Sequence, residues 1–246
     1  MKSNKTKLGG LLYRVVYKGW RSVPESVRQA VYSSSLLNRT KALTRDAAGF
    51  FAPRDDIYNR DYYALVDAMA KRSVPVMADS IVQAFAPGSA VDVGCGTGTL
   101  LAALRERGLR TLGYEYSQVA LGICRSRGLE VIPFDLTHDS ATAVGSFDVA
   151  ISTEVAEHLD ARFADRLVDF LVGCSGKIIF TAATPGQGGG IDHVNEQPHA
   201  YWIAKFGERN YSYDAPLADR WRTDWRKAGI EACYHRNVMV FRAAPP

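Results

Sequence analysis

Cysteine is scarce in this sequence, with four residues (Cys95, Cys124, Cys174, Cys233) in 246. None forms a CxxC pair, so zinc-finger spacing is absent, and a disulfide framework does not suit a chain this long. Long apolar runs are missing too. No stretch approaches the roughly 18 residues that span a bilayer. The Lys-rich start is followed only by a short apolar segment at 8–16, broken by glycines and Arg14, which is no secretory pattern. The expectation is a cytoplasmic protein with reduced thiols. Repeats and low-complexity tracts are also lacking.

What is present is ordinary globular composition, 47% hydrophobic and 23% charged. A net charge of +4 is too small to argue for nucleic acid, but it is unevenly placed. Residues 1–45 carry ten Lys/Arg against one acid, Glu25, while the rest carries twenty against twenty-five. A basic arm (1–56) thus precedes a mildly acidic body (57–246). Leu11, Leu12, Val15, Val16 and Trp20 recur at helical spacing among the basic residues, and a second helix is predicted over 24–37. Such an arm is suited to an anionic membrane surface, to a lid or to a subunit contact; a solvated positive face is as good a reading. The oligomeric state is left open.

From residue 60 a helical segment (62–85) ends at Pro87-Gly88, and strands then alternate with helices. Short β-branched or apolar runs at 90–93, 111–115, 130–134, 147–152 and 177–181 are separated by helical patterns at 99–107, 118–127 and 159–173. This alternation predicts an α/β, doubly wound, Rossmann-like sheet, mostly parallel. Runs at 230–235 and 238–242 read as a closing antiparallel hairpin, for seven strands in all.

The strand-to-helix junction Asp92-Val93-Gly94-Cys95-Gly96-Thr97-Gly98 lets backbone N–H groups approach a ligand. Glycine turns of this kind also serve dinucleotide enzymes, so neighbouring acids must discriminate. Asp92 precedes the turn and could orient water or an ammonium. Glu115 ends the second strand, where a carboxylate can accept two ribose hydroxyls. Asp135 ends the third, before Leu136, placed to accept from an adenine amine. Thr97 and Gly98 are expected to cap the next helix. Tyr62 and Tyr63 either close over the cofactor or simply pack.

These features, with Phe147-Asp148-Val149-Ala150-Ile151-Ser152-Thr153-Glu154, resemble the successive motifs of class I S-adenosylmethionine (SAM) dependent methyltransferases over roughly residues 60–185. The resemblance implies SAM as cofactor, with Asp92, Gly94, Cys95, Gly96, Thr97, Gly98, Glu115, Tyr116, Asp135, Leu136 and Thr153 around it.

Glu154, Glu157 and His158 stand at i, i+3 and i+4, so a helix here would show two carboxylates and an imidazole on one face. A solvated helix pair would look the same. A glycine-rich loop later offers Asp192 and His193. The Glu154-Val155-Ala156-Glu157-His158 stretch resembles that of ubiquinone-biosynthesis O-methyltransferases and of small-RNA 2′-O-methyltransferases. In the latter the matching residues hold a metal, which implies Glu154, Glu157, His158 and His193 as ligands. Their mixed oxygen–nitrogen chemistry suits Mg²⁺ or Mn²⁺. His193, His158 and Asp192 are the catalytic candidates, with His199 a weaker one.

The segment from His193 to Pro198, followed by Tyr201-Trp202 in a helix expected over 198–207, resembles small bacterial carbohydrate and glycolipid O-methyltransferases, including the mycobacterial acylated-glucosylglycerate type. That implies a sugar or glycolipid acceptor, with Tyr201, Trp202, Tyr211 and Tyr213 as ring-stacking candidates. A catechol of quinone or natural-product synthesis is the enzyme alternative. RNA is disfavoured by the acidic body. Leu217, Trp221 and Trp225 recur every four residues and are assigned to the core.

Overall fold

The computed structural model describes residues 58–139, 145–187 and 193–244. The expectations for the arm at 1–56, and for Asp192, fall outside these residues. The first element is α1 (Arg60–Phe85), started by Asn59, whose side chain accepts from the N–H of Asp61 and Tyr62. It leads into β1 (Ser89–Val93), α2 (Thr99–Glu106), β2 (Arg110–Glu115), α3 (Gln118–Ser126) and β3 (Val131–Pro133). Then come β4 (Val149–Thr153), 3₁₀ turns at Ala156–His158 and Ala161–Phe163, α4 (Ala164–Cys174) and β5 (Lys177–Thr181). The last third holds α5 (His199–Gly207), β6 (Tyr211–Tyr213), α6 (Ala215–Lys227), α7 (Ala232–Asn237) and β7 (Met239–Ala243).

The strands form one seven-stranded sheet in the order β3-β2-β1-β4-β5-β7-β6. The first five are parallel, and β7 runs antiparallel to both β5 and β6. The mostly parallel sheet with an antiparallel end is as expected. One member of that end is not. Residues 230–235 do not pair with β7; they lead into and form α7, and the three-residue β6 takes the edge. The strand reading of 230–235 is overridden by contacts from distant residues. Glu231 N–H donates to the Ser73 hydroxyl, and Asn237 reaches Glu154.

Successive residues of a strand serve opposite cores. Val91, Val93, Ile178 and Phe180 pack against α4 and α5, while Ala90, Val149, Ile151 and Ile179 meet α1, α2 and α6. Trp221 and Trp225 stack 5.2 Å apart in the second core, as their spacing suggested. The strand order reverses between β1 and β4. In open α/β sheets the crevice at such a switch point, outside the carboxyl ends of the strands, is where ligands bind.

Candidate active site

That crevice is a cavity of about 490 Å³ lined by the tips of β1, β2 and β4, the residues after β3, α1 from Tyr62 to Met77, and α7. At its centre the turn after β1 has Gly94, Gly96 and Gly98 at φ of +78°, +54° and +73°. A Cβ on Gly94 would sit 2.4 Å from Val155 Cγ2, so only glycine fits there. At Gly96 a Cβ would meet nothing nearer than Tyr63 Cε1 at 4.0 Å, on the cavity side.

Glu115 locks this turn to the next strand. Its carboxylate accepts from the N–H of Gly96 (2.9 Å), Tyr116 (2.9 Å) and Ser117 (2.8 Å). Burial raises its pKa, and the three donors counter that in part. Asp92 has no such support. Burial, reinforced by the Glu115 charge, pushes its carboxyl up to about 7, and Oδ1 has no hydrogen-bond partner among the described residues. An orphaned buried carboxylate beside an open glycine turn fits a ligand that brings a cation or hydroxyls.

Asp135 lines the cavity with Tyr116, Leu136 and Thr153. Burial would raise its pKa, but bonds from the Thr137 side chain (2.6 Å) and N–H (2.8 Å) and from His138 hold it low. Thr97 departs from expectation. Gly98 alone stands at the N-cap of α2, while the Thr97 hydroxyl donates to Asp67 on α1. Asp67 also accepts from Thr99 (2.8 Å) and pairs with Arg127, which in turn donates to the Thr97 carbonyl (2.8 Å). This latch fastens α1 to the glycine turn and was not visible in the sequence. Tyr58, Tyr62 and Tyr63 line the same cavity, with Tyr58 edge-on to Tyr62 and Tyr116.

At the other end, Glu154 follows β4 at φ +56°, its N–H donating to the Thr181 carbonyl (3.1 Å) and hydroxyl (3.0 Å). The chain then makes a 3₁₀ turn rather than the α-helix that the Glu/Glu/His spacing suggested. The turn brings ligand atoms of Glu157, His158 and His193 within 4.8 Å of one another. Backbone bonds hold the two segments together, Val194 and Asn195 N–H donating to the Glu157 carbonyl at 2.7 and 3.1 Å. His193 Nδ1 lies 2.9 Å from Glu196, which favours Nε2 as a ligand atom, and His158 Nδ1 lies 3.3 Å from the Tyr58 hydroxyl. Glu154, the fourth expected ligand, stays outside this group, beside Glu157 and bonded by Asn237 Nδ2 (3.4 Å).

Glu157 is fully buried, neither of its oxygens has a hydrogen-bond partner among the described residues, and burial and then Glu154 push its pKa well up. One buried carboxylate and two imidazoles gathered within 4.8 Å, with a second carboxyl beside them, make a donor set that fits a divalent ion.

The remaining expectations divide. His199 does not line the cavity; its Nδ1 lies 3.4 Å from Arg222, and burial followed by that cation lowers its pKa. The sugar-stacking aromatics lie elsewhere. Trp202 is fully buried against Phe180, the Tyr211 hydroxyl donates to the Ser175 carbonyl (2.7 Å), and Tyr213 packs on Phe241. Tyr201 packs on Trp202 and under Lys205. None of the four faces the cavity. What does face it, unforeseen, is α7 with Glu231, Cys233, Tyr234 and Arg236.

Sheet order, switch-point crevice and glycine turn define a class I SAM-dependent methyltransferase fold. Comparisons with known proteins agree on that fold. A magnesium protoporphyrin IX methyltransferase (ChlM) from Synechocystis PCC 6803, solved with bound SAH, aligns over 83% of this chain and 100% of that one, at TM-score 0.54 and 18% identity. The sugar N-methyltransferase KedS8 from Streptoalloteichus sp ATCC 53650 aligns over 70% and 87%, at TM-score 0.55 and 15% identity. In sequence, residues 77–186 match the family described as "Methionine biosynthesis protein MetW". The ubiquinone biosynthesis O-methyltransferase of Stutzerimonas stutzeri (strain A1501) is 28% identical over 144 residues. That match takes in 56% of each protein, so the chain spans about half the length of the curated relatives it matches.

Proposed function

We propose that this protein is a SAM-dependent O-methyltransferase, metal-assisted, whose acceptor carries two neighbouring hydroxyls. One observation carries the reading: the orphaned Asp92 carboxylate lines the same cleft as His158 and His193, which the buried Glu157 backs, the first suited to the cofactor and the second group to the acceptor. When bound, SAM supplies an electrophilic methyl group, and a divalent ion would lower the pKa of a coordinated hydroxyl.

The chain's own residues do the rest. The Gly94–Gly98 turn presents backbone donors; Glu115 holds it in shape, and Asp92 takes up a cationic or hydroxyl group of the ligand. Tyr58, Tyr62, Leu65, Val66 and Met69 line one wall of the cleft and give it an apolar and aromatic side against which a ligand can pack. Glu157, His158 and His193 would hold the ion. In its absence His193, oriented through Nδ1 by Glu196, is the imidazole that could take the acceptor proton at Nε2.

A catechol-type acceptor accords with this apolar and tyrosine-rich wall and with the ubiquinone-pathway name of the relative from S. stutzeri. A sugar or glycolipid offers the same vicinal oxygens, but the four aromatics that spoke for it are turned away from the cleft. The test is methyl transfer from SAM to a panel of catechols, glycosides and RNA 3′ ends, with EDTA and with Mg²⁺ or Mn²⁺ restored. Turnover on catechols that disappears in EDTA and returns with the ion supports the reading. Full activity in EDTA removes the metal and leaves His193 as base; activity confined to glycosides or RNA overturns the acceptor.

A further inference from the structure

The lining of the cleft is electrostatically lopsided. Five carboxylates face it, Asp92, Glu115, Asp135, Glu154 and Glu231, and among the described residues the only Lys or Arg on its wall is Arg236. Arg236 makes no ion pair among those residues, although arginines elsewhere on the surface pair readily, as Arg107 does with Asp79 and Arg209 with Asp169. It stands in the last turn of α7, next to Asn237, whose amide reaches Glu154 at the edge of the acidic and histidine group. Tyr234, on the same short helix, also lines the cleft, and burial keeps its phenol protonated, able to donate.

We propose that Arg236, with Tyr234 of the same helix lining the same cleft, is the carboxylate-binding corner of this cleft. A ligand carboxylate placed at any of the strand tips would face Asp92, Glu115 or Asp135 at close range, a repulsive arrangement in a partly desolvated site. The guanidinium fork matches a carboxylate in two parallel hydrogen bonds, which a single phenol or backbone N–H cannot. Two molecules could bring that group: the cofactor through its amino-acid half, or an acceptor bearing an acid next to its hydroxyls. As to which ligands occupy the cleft, the proposal rests on the proposed function.

Calorimetry on the whole protein and its Arg236→Met and Arg236→Lys variants separates the two sources. The probes are S-adenosylhomocysteine (SAH), 5′-methylthioadenosine (which lacks the amino-acid half), and, with SAH and Mn²⁺ present, 3,4-dihydroxybenzoate against catechol. If the cofactor supplies the carboxylate, Arg236→Met weakens SAH by roughly tenfold or more and leaves methylthioadenosine unchanged. If the acceptor supplies it, SAH is unchanged and 3,4-dihydroxybenzoate weakens by a similar factor while catechol does not. In either case Arg236→Lys recovers part of the loss, which a merely structural role would not give. Unchanged affinity for all four probes overturns the proposal. A wild-type protein that binds neither SAH nor methylthioadenosine overturns the proposed function itself, a result distinct from insensitivity to the variants.

Discussion

Asp92 and Glu157 are both buried acids without adequate donors, and each has a consequence for stability. The folded-state pKa of Asp92 is raised from 3.8 to about 7, so the folded protein binds the extra proton between those values. Its contribution to stability is therefore present at low pH and lost as pH rises through 7. Ligand-free Asp92→Asn should escape that loss, gaining roughly 2–4 kcal/mol on wild type between pH 5 and pH 8, as read from thermal melts across pH. The same variant should bind SAH far more weakly. Because a cationic ligand group favours the ionised carboxylate, wild-type affinity should rise with pH up to about 7 and then level off. For Glu157→Gln, melts in EDTA should show a more stable protein, by on the order of 1 kcal/mol, while the stabilisation by Mn²⁺ seen in wild type disappears. A variant that melts lower in EDTA and still responds to Mn²⁺ would count against the metal group.

At the scale of elements, the glycine turn and α1 act as one unit. Gly94→Ala brings both a positive φ and a contact of 2.4 Å with Val155, so it should destabilise the turn and abolish SAH binding. Adding Val155→Ala relieves the contact but not the backbone strain, so rescue should be partial in a melt and small in calorimetry. The Asp67 latch joins α1 to that turn through Thr97, Thr99 and Arg127. Asp67→Asn should cost about 1–2 kcal/mol and weaken SAH, since the helix that lines the cofactor end loses its tie. If SAH affinity does not move, α1 is a wall and the latch serves stability alone. The 3₁₀ turn at Ala156–His158 makes a related point. The i, i+3, i+4 spacing foretold one shared helical face, but the contact between Glu157, His158 and His193 comes instead from the backbone bonds of Val194 and Asn195.

For the whole molecule, two cores on opposite faces of one sheet place every ligand-facing group at the same edge. Occupancy of that edge should stabilise the entire fold. At 100 times its Kd, SAH should add about 2.7 kcal/mol to unfolding, seen as a higher Tm in one cooperative transition. Glu115→Ala should abolish the shift, because Glu115 shapes the turn that receives the ligand. Within the described residues no helix is long and apolar enough to cross a membrane.

Strand tips are where sequence speaks most directly. Buried strands announce themselves by apolar β-branched runs, and an acid at the end of one must stand near the sheet's carboxyl edge, so Asp92, Glu115 and Asp135 could be placed without coordinates. The same holds for the parallel topology and for the Trp221/Trp225 core stripe. Tertiary structure decided what depends on distant partners. Residues 230–235 read as one strand of a closing hairpin, yet Ser73 and Glu154 draw the segment into the helix that carries Tyr234 and Arg236. Tyr211 and Trp202 look like ligand-stacking residues until packing consumes them. The Asp67–Arg127 tie spans sixty residues, and no local period could reveal it. Short-range pattern encodes which face of an element is apolar; only the folded chain settles which polar groups are left to meet a ligand.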